Sequence, residues 1–276
     1  MTVIALAGFV GVCSGLAAVA LNRSLHWAAE SLNGLHGYWW AFVLPAAGAT
    51  LSGLFLANVL RERTSHGVPE VVYAVSRHGG LLRLRSSYSR LISGLLTIGS
   101  GGSAGPEAPV VISGASIGSN IAKVFSLNER QRITLVGCGA AGAIAAIFNA
   151  PIAGLVFSVE VVLGEWRAFN IVPIAIAAVT GTEISRLLQG NQIPFQHQLF
   201  NISLVDIVAS FGVVLFTTSA SLLMGWILKS MHHISERSVV PFWLRPAVGG
   251  AAVGLIGLFL PLVLGEGYSS IRQMFT

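Results

Sequence analysis

Gly101-Gly-Ser-Ala-Gly-Pro-Glu-Ala-Pro-Val-Val-Ile-Ser-Gly-Ala-Ser-Ile-Gly118 sets one carboxylate, Glu107, between two prolines and a glycine-rich turn, at the mouth of an apolar helix. Glycines let a backbone bend and approach a ligand closely, and Pro109 suits the first turn of a helix. The amides exposed at that helix start form an anion site. A titratable acid beside an anion site has the makings of a gate.

Working outward, the solvent of this helix follows from composition. Of 276 residues, 54% are hydrophobic, 10% are charged and 32 are glycine, and the mean hydropathy is +0.75. Soluble domains carry about 25% charged residues, and glycine is favoured where helices approach closely in lipid. The chain is therefore read as an all-α, multi-pass integral membrane protein of the cell membrane. Val3 to Leu21, Trp39 to Leu60, Ile171 to Leu188, Leu204 to Leu228 and Ala247 to Leu264 are long enough to cross or nearly cross, against the ~20 residues a spanning helix needs. Val110 to Val124 and Ile152 to Leu163 are shorter and bounded by Gly or Pro, which predicts helices that begin or end inside the membrane. The first apolar stretch has no basic leader and no cleavage site, so it reads as a helix rather than a removed signal.

Basic residues sort by loop. Arg61, Arg63, Arg77, Arg83 and Arg85 lie in one connection and Lys229, Arg237 and Arg245 in another, which makes both cytoplasmic, whereas Asn33 to Trp40 and Gln189 to Ser203 carry no Lys or Arg and read as external. The formal charge of +5 thus reports topology, and no aromatic-basic pattern points to nucleic acid.

The chain also resembles itself. Val3 to Glu30 has a counterpart in Ile207 to Glu236, and each is followed by a glycine-rich span and a short glycine turn: Ser65-His-Gly-Val-Pro-Glu70 in the first copy, Gly265-Glu-Gly-Tyr-Ser-Ser270 in the second. With the loops as assigned, an odd number of crossings separates the copies and they are inverted. The expected organisation is a first inverted repeat over 1–188, an external linker over 189–203 and the start of a second repeat over 204–276. Broken helices in inverted repeats place an ion site where the repeats meet.

Three stretches together resemble the CLC family of chloride channels and chloride/proton antiporters. Ser65-His-Gly-Val-Pro-Glu70 is similar to the family's first anion-site motif, Gly105-Pro-Glu-Ala-Pro109 to its second, and Ala140 to Val162, containing Phe148-Asn-Ala-Pro-Ile-Ala-Gly154, to its third conserved pattern. The resemblance implies a bundle of tilted and broken helices, a homodimer with one anion pathway per subunit, and chloride or a similar monovalent anion as substrate, with no cofactor, no metal and no enzymatic chemistry. It places Glu107 on the gating glutamate, whose carboxylate occupies the anion path and leaves when protonated or displaced. It places His66, Gly67, Val68 and Pro69, and Gly105, Pro106, Ala108 and Pro109, around the anion.

Departures from the pattern matter as much. Pro106 replaces the usual basic residue, and Ala108 replaces a glycine but keeps the amide. His66 stands where the family has a serine; it either offers an N–H to the anion with pH sensitivity, or points away and leaves the anion to the backbone amides near Gly67. Val161 falls where the antiporters carry a proton-passing acid and the channels carry valine, which favours passive, channel-like conduction, with antiport as the alternative. Glu160 beside it is either a proton route or an acid paired for structure. Asn149 and Pro151 read as cap and first turn of the helix that carries them. Relative to the family, the residues up to Thr276 reach only the start of the second repeat, so the resemblance assigns transport to the complete protein, and a non-conducting remnant stays open for the chain alone.

One enzyme reading remains. Gly101-Gly-Ser-Ala-Gly105 matches the Gly-x-Ser-x-Gly elbow of serine hydrolases, with Ser103 as nucleophile and His26, His66 or His78 as base. In so glycine-rich a chain the pattern arises easily by chance. Cys13 and Cys138 lie singly in apolar segments and read as small buried thiols.

Overall fold

A computed structural model describes residues 2–33, 39–59, 67–191, 204–237, 240–241 and 244–268. His66, Arg61, Arg63 and most of the expected external linker lie outside the described residues. Among those described every regular element is helical. In chain order these are α1 (Thr2–Asn33), α2 (Val43–Val59) after a short 3-10 turn, α3 (Val68–Arg77), α4 (Ser86–Gly99), α5 (Glu107–Val124), α6 (Glu129–Phe148), α7 (Pro151–Phe157), α8 (Ala168–Gln189), α9 (Leu204–Arg237) and α10 (Arg245–Phe259). Among the described residues, five helices are long and apolar enough to cross a membrane: those spanning Thr2–Leu32, Trp40–Asn58, Glu129–Phe148, Ala168–Gln189 and Asp206–Ser235.

Helix α6 is the axis of the bundle. It starts from a capping box, in which Asn128 accepts from the Gln131 amide at 2.9 Å while the Gln131 side chain accepts from the Asn128 amide at 3.3 Å. From Thr134 to Ala146 every residue is buried, against α5 on one side and α1 and α8 on the other. Its side chains there are small, so backbones meet. A side chain at Gly114 of α5 would strike the Gly139 carbonyl of α6, and one at Gly139 would strike the Gly114 carbonyl. In lipid, where apolar burial does not separate helix from solvent, such close van der Waals contact supplies much of the association. Gly250 and Gly254 of α10 meet the backbone of α2 in the same manner.

Polar residues tie the ends. On the side that carries Arg77, Arg83 and Arg85, Arg132 Nε donates to the Gly79 carbonyl at 2.7 Å and Ser119 Oγ to the Gly80 carbonyl at 2.7 Å. At the opposite end Arg186 Nε donates to Asn149 Oδ1 at 2.7 Å. Helix α9 differs from the rest: the apolar window of its span is 0% buried within this chain.

Two local expectations change. Asn149 adopts a left-handed conformation (φ 52°) and closes the end of α6, with its amide on the Ala145 carbonyl, while Ala150 precedes Pro151 at the start of α7. Asn tolerates that conformation, which is why it serves as a C-cap here. The segment from Ile152 onward is also not a uniform α-helix: α7 widens into a π turn over Ser158–Leu163, and Ser158 Oγ donates to the Gly137 carbonyl of α6 at 2.7 Å.

Gly139→Val forces a branched side chain into the Gly114 backbone and should lower stability by about 3 kcal/mol, read as a drop in melting temperature in detergent. Gly225→Ala, on a face of α9 where nothing lies within 4 Å, should leave melting unchanged to within about 1 kcal/mol.

Candidate functional site

Two helix starts face each other inside the bundle. Helix α3 begins after Gly67, whose φ of +65° is a conformation that suits glycine, and has a proline in its first turn. Helix α5 begins at Glu107 after Pro106. A Cβ placed on Gly67 would lie 3.8 Å from Ala108 Cβ, so the first turns of α3 and α5 converge. First-turn amides have no intrahelical partner and carry the positive end of the helix dipole. The structure thus brings together Gly67, Val68 and Pro69 with Gly105, Pro106, Glu107, Ala108 and Pro109.

An ion pair between a buried arginine and a partly exposed glutamate anchors α3. Arg90 of α4 is 4% exposed and its Nη2 lies 2.8 Å from Glu70 Oε2, in the first turn of α3. Removing one member of such a pair strands the other in a poor solvent, so the contact fixes where α3 starts.

The Glu107 carboxylate folds back over Gly105. A Cβ on Gly105 would overlap Glu107 Oε2, so a hydrogen is the only side chain that leaves the carboxylate its seat. Oε1 of the same carboxylate accepts a hydrogen bond from the phenol of Tyr268. The Tyr268 ring stands edge-on to Phe148 with centroids 6.3 Å apart, and the Gly265 amide donates to the Gly101 carbonyl at 3.3 Å. The turn from Gly265 to Tyr268 is therefore fastened to the glycine loop that precedes α5. Burial, and then the Glu107 charge, push the Glu266 carboxyl above the ordinary carboxylate range.

A cavity of about 620 Å³ reaches this point from the end of the bundle that carries Asn149. Pro106, Phe148 and Tyr268 line it together with Arg23, His26 and Glu30 of α1.

The other sequence candidates lie elsewhere. Glu160 and Val161 sit on the π turn after α7, both exposed within this chain. Ser103 lies in the loop between α4 and α5, so the element before it is a helix and not the strand of a nucleophile elbow. Cys138 is buried and Cys13 partly buried, both as free thiols. No group of three or more His, Cys, Asp or Glu poised for a metal occurs among the described residues.

Sequence reading alone missed Tyr268 and Glu266. The signal was present in the repeat, which sets Gly267 opposite Gly67 and Tyr268 opposite Val68. Gly67 and Gly267 share a positive φ, +65° and +76°.

The chain is similar to known proteins over most of its length. A family model described as voltage gated chloride channel matches residues 48–276. A chloride channel protein of Ralstonia nicotianae described as ClcB-like is 32% identical, over 98% of this chain and 66% of its own. Chloride channel protein CLC-f of Arabidopsis thaliana is 29% identical, over 96% of this chain and 37% of its own length. The chain thus spans between about a third and two thirds of these relatives. In fold it is similar to a slow cyanobacterial Cl−/H+ antiporter (TM-score 0.84, 21% identity, 100% of this chain and 68% of that one) and to a CLC-type fluoride/proton antiporter (TM-score 0.85, 23% identity, 100% and 70%).

Gly105 has an ordinary φ and is required for space alone. Gly105→Ala should therefore fold with stability within about 1 kcal/mol of the parent while moving the Glu107 carboxylate off its seat. An experimental density map of the variant that shows the carboxylate unmoved would contradict this packing.

Proposed function

This chain belongs to the voltage-gated chloride channel family, and from that premise we propose that the complete protein carries chloride or a similar monovalent anion across the cell membrane along the starts of α3 and α5, with Glu107 as the gate. The observation that carries the reading is the meeting of the two first turns, with the Glu107 carboxylate on the first residue of α5 and a cavity lined by Pro106 and Tyr268 beside it. Amides at both starts offer N–H donors and positive dipole ends to an anion. Glu107 is itself an anion tethered beside them, so it competes with the substrate for the same donors. Protonation or displacement swings it out and opens the way. The same α5 turn with Glu107 as a mere dipole partner would be worth under about 1 kcal/mol and needs no cavity at its side.

In this reading Gly67, Val68, Pro69, Gly105, Pro106, Ala108 and Pro109 form the anion's surroundings, and His66, outside the described residues, is assigned to them by the sequence alone. A homodimer with one path per subunit is the assembly proposed for the complete protein.

Passive conduction is the branch we favour, because Val161 cannot take a proton where antiporters of the family carry an acid. Proton-coupled antiport is the second reading. Glu160, exposed beside Val161 on the π turn, supports it, as do the names of the two solved structures of similar fold.

Chloride efflux from liposomes with simultaneous pH recording decides between them. Chloride movement without coupled protons is expected, and uphill proton movement driven by a chloride gradient would assign antiport instead. Glu107→Gln should alter gating and flux; a Glu107→Gln protein that gates and conducts as the parent does would remove Glu107 from the gate.

A further inference from the structure

We propose that Tyr268 is the latch of this gate: its phenol O–H donates to the Glu107 carboxylate and holds it seated over Gly105, in the path. This rests on the reading of Glu107 as the gate and adds a positioning residue that acts through it.

Two contacts and a backbone bend help to hold the phenol where it is. Phe148, the last residue of α6, meets the ring edge-on, with planes 82° apart. Gly265 is bonded to Gly101, so the turn that carries Tyr268 is fastened to the loop that leads into Glu107. Gly267, at φ +76°, gives the backbone the bend that turns Tyr268 toward α5. The latch is therefore braced by the same two elements, α6 and the glycine loop, that frame the seat.

A neutral donor also suits the charges around the seat. Glu266, two residues before Tyr268, sets a second carboxyl near Glu107, and like charges repel. Arg23, His26 and Glu30 of α1 line the same cavity, and the Arg23 guanidinium is engaged with the Leu188 carbonyl. A hydrogen bond from a neutral donor to an ionised acceptor is among the stronger ones and offsets that repulsion without adding a second charge. Burial, and then the bond to Glu107, keep the phenol protonated and so able to donate.

A latch shifts a population. The carboxylate exchanges between a seated and a displaced position, and an external anion gains the amides only when it is displaced. A contact present only in the seated state raises the anion concentration needed to open the path and leaves the open path itself unchanged.

The test uses the full-length protein in liposomes. Tyr268→Phe keeps the ring against Phe148 and removes only the donor. The external chloride concentration that gives half-maximal flux should fall about tenfold, with maximal flux within about twofold of the parent, and Tyr268→Phe should change nothing in a Glu107→Gln background. An unchanged half-maximal concentration, or an equal shift in both backgrounds, overturns the latch. If Glu107→Gln transports as the parent does, the gate itself falls; if Glu107→Gln is altered while Tyr268→Phe is silent, the latch alone falls. A second measurement needs neither flux nor the phenylalanine variant. With 3-fluorotyrosine at position 268, the fluorine NMR resonance should move on Glu107→Gln, and an unmoved resonance overturns the contact.

Discussion

An amide N–H inside an apolar bundle has to find a partner, and the first turns of α3 and α5 leave theirs without one in the helix. The rest of the structure is arranged around that constraint. The two starts lie side by side, with Gly67 against Ala108, and each is preceded by glycine. An anion is the natural partner for such donors, and Glu107, on the first residue of α5, is the anion the chain itself provides.

Holding two helix starts a few ångströms apart needs a stiff frame. Helix α6 supplies it through residues with almost no side chain, so that its backbone meets the backbones of α5 and α1 directly. Small-residue contacts are steeply distance-dependent, which gives little slack along the seam. The pair of Arg90 and Glu70 then fixes α3 from its own first turn. The C-terminal end of α6 carries Phe148 to the ring of Tyr268, so the element that frames the bundle also frames the site.

The turn from Gly265 to Tyr268 gives the site its two-sided character. It is far from α5 in sequence, yet it is bonded to the glycine loop before α5 and reaches the carboxylate. In the repeat reading this turn is the partner of the one that starts α3, and the matching positive φ at Gly67 and Gly267 is what that symmetry requires. On that reading, a glycine turn that presents amides in the first copy presents a phenol in the second, and both copies touch the proposed gate.

The sequence by itself determined the solvent, the helical class, the broken helices at Gly67 and Glu107 and the family, because composition, glycine spacing and local motifs are properties of neighbouring residues. It also located Glu107, since an acid between two prolines at an apolar helix start has few structural uses. Tertiary structure alone decided what that carboxylate touches. Asn149 looked like the start of α7 and instead ends α6, because an asparagine two residues ahead of a proline serves either purpose and the left-handed turn is chosen by how the two helices meet. The π turn at Ser158 follows from a hydroxyl finding the Gly137 carbonyl across the helix seam, which no local pattern encodes. Tyr268 lies 161 residues from Glu107, and a hydrogen bond over that separation exists only once the bundle has folded and brought the two glycine turns to one place.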